Sequence, residues 1–154
     1  MIRVQEEPFD IAEELRGVRG DNHKIGGTAL FAGSVRDLNL GEQVSAMTLE
    51  HYPGMTEKAL AEIEAEANER WPLEASLIVH RYGRMHPGED IVLVITCSSH
   101  REAAFEACQF LMDWLKTRAP FWKLEEGDDA QGAKWVDARE SDDKAAGRWS
   151  KTQE

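Results

Sequence analysis

An α+β domain with helices packed on a mainly antiparallel sheet is the fold that three features of this 154-residue chain predict. Between residues 44 and 124 the segments run strand, helix, strand, strand, helix, strand, the order of a split βαβ unit. Both helices carry an apolar face and both stop at a proline, Pro72 and Pro120. Two further extended segments, 121–125 and 134–138, flank the acidic loop 127–132 and predict a C-terminal β-hairpin.

Taken in order, residues 2–4 suit a short strand, and Asp10 with Glu13 caps a brief helix through Leu15. Gly17, Gly20, Asp21 and Asn22 then predict a loop. Residues 25–33, IGGTALFAG, read as a strand whose three glycines permit a bulge or a close backbone approach. The segment 34–41 is too polar and irregular to pack, so it is expected to be a loop with Arg36 at its mouth. Residues 44–52 alternate as a strand with Met47, Leu49 and His51 on one face, and Pro53 with Gly54 turns the chain. Thr56 is the expected N-cap of a helix to about Arg70, whose inner face holds Ala59, Leu60, Ile63 and Ala67. Residues 75–82 form the next strand, and Pro87 with Gly88 the next turn.

The run 91–96, IVLVIT, is continuously apolar and rich in β-branched residues, as in a strand covered on both faces. Ser99 and Glu102 have the spacing of a capping box, so a second long helix starts there with His100 and Arg101 in its first turn. Its polar stripe is Glu102, Glu106, Gln109, Asp113 and Lys116, while Phe105, Cys108, Leu111, Met112 and Leu115 fill the rest. Ser141 caps a last short helix. The chain therefore reads as one domain over 1–150 with a frayed tail at 151–154.

Composition narrows the function classes. With 29 acidic against 18 basic residues and a formal net charge of −11, a surface that tracks nucleic-acid phosphates is not expected. No apolar run nears the length of a membrane span, and the N-terminal residues lack the basic and apolar regions of a signal peptide, which predicts a cytoplasmic protein. Cys97 and Cys108 form neither a CxxC pair nor a disulfide framework, in keeping with a reducing compartment. His23, His51, His80, His86 and His100 show no metal-binding spacing, so neither metal nor cofactor is expected. Cys97 precedes a helix and could carry a persulfide, but it follows a buried strand with no base in evident reach. Trp114, Trp122, Trp135 and Trp149 could stack on a flat heterocycle, line a groove or pack the core.

Two anion sites stand out. Lys116, Arg118 and Lys123 gather at the exit of the second long helix, although a lysine there also complements the helix dipole and can pair with Asp113. His100 and Arg101 lie at the opposite end, where free backbone N–H groups favour an anion. Lys116 is ~24 Å along the axis from His100 at helical rise, too far for one small ligand to touch both. If both ends serve one ligand, they come from two copies related by a two-fold, which predicts a homodimer with composite sites. A non-catalytic dimeric module that binds a small anion for regulation has the same outline.

The strings LEHYPGMTEKALAEIEAEANERWP, MDWLKTRAPFWK and WVDARESD resemble the large, catalytic subunit of molybdopterin synthase, and the likeness runs over nearly the whole chain. It implies an α/β-hammerhead fold with an added β subdomain. It also implies a sulfurtransferase of molybdenum cofactor biosynthesis, which converts cyclic pyranopterin monophosphate to molybdopterin by installing two dithiolene sulfurs. The sulfur would arrive as a thiocarboxylate on the C-terminal Gly-Gly of a small ubiquitin-like subunit, in a heterotetramer of two large and two small chains.

Carried over by position, Lys116 and Lys123 would be the catalytic lysines, Lys116 as acid/base and Lys123 assisting. Arg36, His100 and Arg101 would hold the phosphate and pterin, with Arg139 a weaker member of the same set. Ser34, Val35, Leu124 and Glu125 complete the implied substrate contacts, and Phe31, Met112 and Phe121 are candidate walls of a channel for the glycine tail. Two positions depart from the family pattern: Ser34 stands where a lysine is usual and Leu124 where a basic residue is, which leaves backbone contacts from those places.

Overall fold

The computed structural model describes residues 1–39, 41–127, 133–136 and 140–150. The elements run β1 (Ile2–Gln5), α1 (Ile11–Arg19), β2 (Gly27–Ser34), β3 (Leu38–Asn39), β4 (Glu42–Gln43), β5 (Ala46–His51) and α2 (Met55–Arg70). They continue with β6 (Leu73–Arg81), β7 (Gly83–Met85), β8 (Asp90–Ser98), α3 (Arg101–Arg118), β9 (Phe121–Glu126), β10 (Ala133–Val136) and α4 (Glu140–Gly147). One sheet has the order β1-β6-β8-β2 and a second β10-β9-β5-β7; among the described residues only the β1–β6 pair is parallel. The fold is thus α+β and mainly antiparallel, but the strands of the expected split unit divide, β6 and β8 in the first sheet and β5 and β9 in the second. Ala119 is extended before Pro120, so the chain leaves α3 sharply and pairs with β5 instead of returning to β8.

The first sheet is covered on both faces, which explains the unbroken apolar run of β8. On one side Ile78, Val92 and Val94 meet Leu60 and Ile63 of α2 and Phe110, Leu111 and Leu115 of α3. On the other, Leu77, Val79, Leu93 and Ile95 are packed by Ile11, Leu15 and Val18 of α1. Each fully buried aliphatic or aromatic side chain contributes about 1.5–3 kcal/mol. Trp71, Phe110 and Trp149 meet edge-on, and Trp149 donates its indole N–H to Asp113 at 2.7 Å, so α4 docks on α3. Core packing is therefore the use of Trp149, whereas Trp122 and Trp135 are exposed on the second sheet.

Several local expectations are corrected. Asp10 accepts from the Glu13 N–H as foreseen, but α1 runs through Gly17 to Arg19 because its half-buried Ile11, Leu15 and Val18 pack on the first sheet. Thr56 is not the N-cap of α2: it is buried in the first turn, donating to the Tyr52 carbonyl, while Gly54 caps and Glu57 accepts from its N–H at 2.6 Å. The Ser99–Glu102 capping box does not form; His100 occupies the cap position and makes no side-chain capping bond. Phe105 is 64% exposed, since it shares a helix face with Glu102 and Gln109. Of the expected loop 34–41, residues 34–39 do pack: Val35 and Asn39 are buried, and β3 pairs with β4, while Leu40 lies outside the described residues. Ser141 falls inside α4 instead of capping it. The hairpin is formed by β9 and β10 with Leu124 opposite Trp135; residues 137–138 of the expected partner strand and the tail 151–154 lie outside the described residues.

Close approach explains two of the glycines. A Cβ on Gly26 would lie 2.1 Å from the Ser99 carbonyl oxygen, and one on Gly27 would lie 3.0 Å from Arg101 Cα. The β2 backbone therefore runs directly against the start of α3. Gly26→Ala is expected to lower unfolding free energy by about 2–3 kcal/mol in a urea titration, because rigid backbone must shift.

Candidate active site

Strand β9 is the axis of the site. Its alternation sends Phe121, Lys123 and Glu125 to one face of the second sheet, and Trp122 and Leu124 to the other. Pairing with β5 sets Phe121 opposite His51, Lys123 opposite Leu49 and Glu125 opposite Met47. At strand rise these three positions span about 13 Å.

At the Glu125 end lies a cavity of about 50 Å³ lined in part by Ser34, Val35, Arg36, Asn39, Lys123 and Glu125. Arg36 donates to the Asn39 side-chain oxygen at 3.4 Å, and the Asn39 amide donates to Glu125 at 2.7 Å. That bond offsets the cost of keeping the Glu125 carboxylate 6% exposed, and it ties the Arg36 segment to β9. The segment is clamped on its other side as well. Val35 N–H donates to Glu89 O at 2.9 Å, Gly88 N–H to Val35 O at 2.8 Å, and the Ser34 hydroxyl to Asp90 at 2.8 Å. Buried Arg81 secures that turn through Glu89 and the Asp90 carbonyl. A cavity this small admits water but no ring system. Arg36 also borders an open depression of about 570 Å³ with Asp37, Leu38, Pro87 and Gly88.

At the Phe121 end the ring stacks flat on His80, centroids 3.7 Å apart and 16° from parallel. His80 is buried in β6, and its Nδ1 lies 2.8 Å from the Arg81 carbonyl. A carbonyl only accepts, so Nδ1 carries the proton. Burial, reinforced by the positive charges of Lys116 and His51 and opposed by the Arg81 carbonyl, brings the His80 pKa down to about 3. Lys116, exposed in the last turn of α3, is thus a neighbour of this end of the strip. Because the unfolded chain takes up this proton near pH 6.5 and the native state does not, His80 destabilises the fold as pH falls below 6.5. Between pH 6.5 and about 5, His80→Phe is expected to lose about 1.5 kcal/mol less stability than wild type in denaturant titrations.

The cavity therefore brings Lys123 and Arg36 together with Ser34, Val35 and Glu125, and Lys116 lies near the other end of β9, where its charge reaches His80. It does not include His100 and Arg101, which are exposed at the opposite end of α3 beside Gly26 and Gly27. Leu124 points away, between Thr48 and Trp135, so only its backbone reaches the strip. The three channel candidates have different settings: Phe31 is 43% exposed on edge strand β2, Met112 is buried with the α3 core, and Phe121 lies on His80. Arg139 falls outside the described residues. Sequence reasoning missed Asn39 and His80, whose roles arise from register between distant strands and leave no local signal. Neither cysteine is poised for sulfur transfer: Cys97 is buried, accepting from the Thr28 hydroxyl, and burial pushes the Cys108 thiol up to about 11.

A family model described as MoaE protein matches residues 4–118 of the chain. The chain belongs to the MoaE family. Among its relatives, the molybdopterin synthase catalytic subunit of Pseudomonas aeruginosa is 57% identical over 148 residues, 96% of this chain and 97% of that protein. The solved MoaE protein from Burkholderia ambifaria superposes with a TM-score of 0.83 at 53% identity, covering 99% of both chains. Molybdopterin synthase from Staphylococcus aureus superposes with a TM-score of 0.79 at 32% identity, covering 87% of this chain and 95% of that one. The family match ends at Arg118, between the two lysines of this MoaE chain, whereas the Pseudomonas alignment covers nearly all of it.

Proposed function

We propose that this MoaE protein is the catalytic subunit of a molybdopterin synthase, a sulfurtransferase that converts cyclic pyranopterin monophosphate to molybdopterin. The observation that carries the reading is the pair Lys123 and Arg36 at one cavity, with Lys116 near the Phe121 end of the same strand, in a chain 57% identical to a catalytic subunit over almost its full length. The span of about 13 Å along β9 suits a phosphorylated pterin. A protein with net charge −11 that concentrates cations along one strip presents an anion site by charge alone.

In each round the thiocarboxylate sulfur forms a carbon–sulfur bond to the pterin as a carbon–oxygen bond breaks and its oxygen leaves protonated; water then hydrolyses the acyl–sulfur bond, which leaves the sulfur on the pterin and the carrier as a carboxylate. Proton delivery to the departing oxygen falls to Lys116, and Lys123 holds the developing negative charge, with Arg36 toward the phosphate. The neutral, buried His80 floor beneath Phe121 keeps that end of the strip apolar. His100 and Arg101 complete the site from a second copy, since helix α3 separates them from Lys116 within one chain. Phe31, Met112 and Phe121 would wall the tail channel once that copy and the small ubiquitin-like partner are in place, giving a heterotetramer. The two free thiols fit the reducing cytoplasm as the compartment.

The test is conversion of cyclic pyranopterin monophosphate by the purified chain with its thiocarboxylated small subunit. Molybdopterin is the expected product; its absence with a correctly paired small subunit would leave only a shared fold. A regulatory module would bind the pterin and leave it unchanged.

A further inference from the structure

We infer that His80 is a positioning residue for the two lysines: its ring is the platform on which Phe121 lies, and so fixes how Lys116 and Lys123 stand relative to each other. The inference rests on the reading of Lys116 and Lys123 given above. The connection between the lysines is short, and Arg118 within it is held by Glu66 at 3.0 Å. It leaves α3 after Arg118, passes an extended Ala119 and Pro120, and enters β9 at Phe121, whose N–H bonds back to the Ala119 carbonyl at 3.0 Å. Phe121 is the first side chain past the turn on the same face as Lys123. It lies flat on His80 and within 6.2 Å of the His51 ring.

His80 is well suited to be a fixed platform. It sits between Val4 of β1 and Val92 of β8 in the first sheet, so its backbone is held on both sides. Its Nδ1–H is committed to the Arg81 carbonyl at 2.8 Å, which fixes the ring plane. Lys116 of α3 and His51 of β5 are the titratable neighbours whose positive charge reaches it, and both oppose its protonation. The contact thus joins the first sheet, the exit of α3 and the first residue of β9 at one point. An aliphatic side chain of similar volume would fill the space but offer no flat surface, and a small displacement of a reacting group is enough to cost ~100-fold in rate.

The experiment compares wild type, Lys116→Ala, His80→Leu and His80→Phe in the conversion assay, with melting temperature and dimer mass checked for each. His80→Leu is expected to lower kcat at least ~10-fold with KM for the pterin within ~2-fold, because the phosphate contacts lie elsewhere. His80→Phe keeps a flat ring and should retain at least about a third of kcat with the pH profile unchanged. Full kcat in a folded His80→Leu would overturn the inference, as would a His80→Phe as inactive as Lys116→Ala, which would make the ring a proton carrier. Should His80→Leu not fold, ¹⁵N-histidine spectra of the wild type decide instead. They should show a neutral Nδ1–H ring between about pH 8 and pH 5, and a ring that titrates there refutes the assignment. Inactive wild type signals failure of the functional reading; active wild type with inactive Lys116→Ala and fully active His80→Leu signals failure of this inference alone.

Discussion

Lys116→Ala is expected to lower molybdopterin formation by about 10²–10⁴-fold while leaving the fold and the dimer intact. The large loss follows from the proposed role of Lys116 as proton donor. The intact fold follows from place: Lys116 is exposed in the last turn of α3, where its contribution to stability is the dipole term of about 0.3–1 kcal/mol. Neighbouring Leu115 and Met112 remain buried and carry the packing of that turn. Steady-state rates with thiocarboxylated small subunit, read beside a melting curve, separate the two effects. A folded variant that turns over at the wild-type rate would remove Lys116 from the chemistry and leave Lys123 as the remaining candidate.

Mixing two inactive variants is expected to restore activity. A chain carrying Lys116→Ala keeps His100 and Arg101, and a chain carrying Arg101→Ala keeps Lys116. If each site takes Lys116 from one copy and Arg101 from its partner, a mixed dimer has one site with both groups intact and one with neither. Random reassortment should then recover about a quarter of wild-type activity, from a background near zero. The physical basis is the 18-residue helix α3, which keeps its two ends apart in any single chain. Refolding or co-expressing the two chains and assaying the mixture measures this directly. No recovery, with mixed dimers confirmed by mass, would mean that the α3 N-terminus serves some other ligand.

The helix ends were the most legible part of the site. Pro120 stops α3, and the 3.6-residue period leaves Lys116 exposed beside buried Leu115, both visible in the string MDWLKTRAP. The start of the same helix is also legible to within a residue or so, but its capping chemistry is not. Ser99 and Glu102 have the spacing of a capping box, but the Ser99 carbonyl lies against Gly26 of a strand far away in the chain, and His100 takes the cap position. Phe105 is apolar, yet its helical phase puts it beside Glu102 and Gln109 on the exposed side. Residues 34–39 look loose in composition and are held by bonds to 88–90 and to Glu125, partners that composition does not reveal.

What the sequence by itself determined is therefore whatever short-range physics controls: the succession of helices and strands, the side each strand turns to its sheet, the proline-set exit that carries the chain from Lys116 to Lys123. These depend on residues within a few positions of one another. Tertiary structure alone decided that β5 and β9 leave the first sheet for a second, that Asn39 meets Glu125, and that His80 comes to lie under Phe121. Each of these depends on pairing register between segments tens of residues apart, and register is chosen by the summed burial of whole sheet faces, which no local pattern encodes.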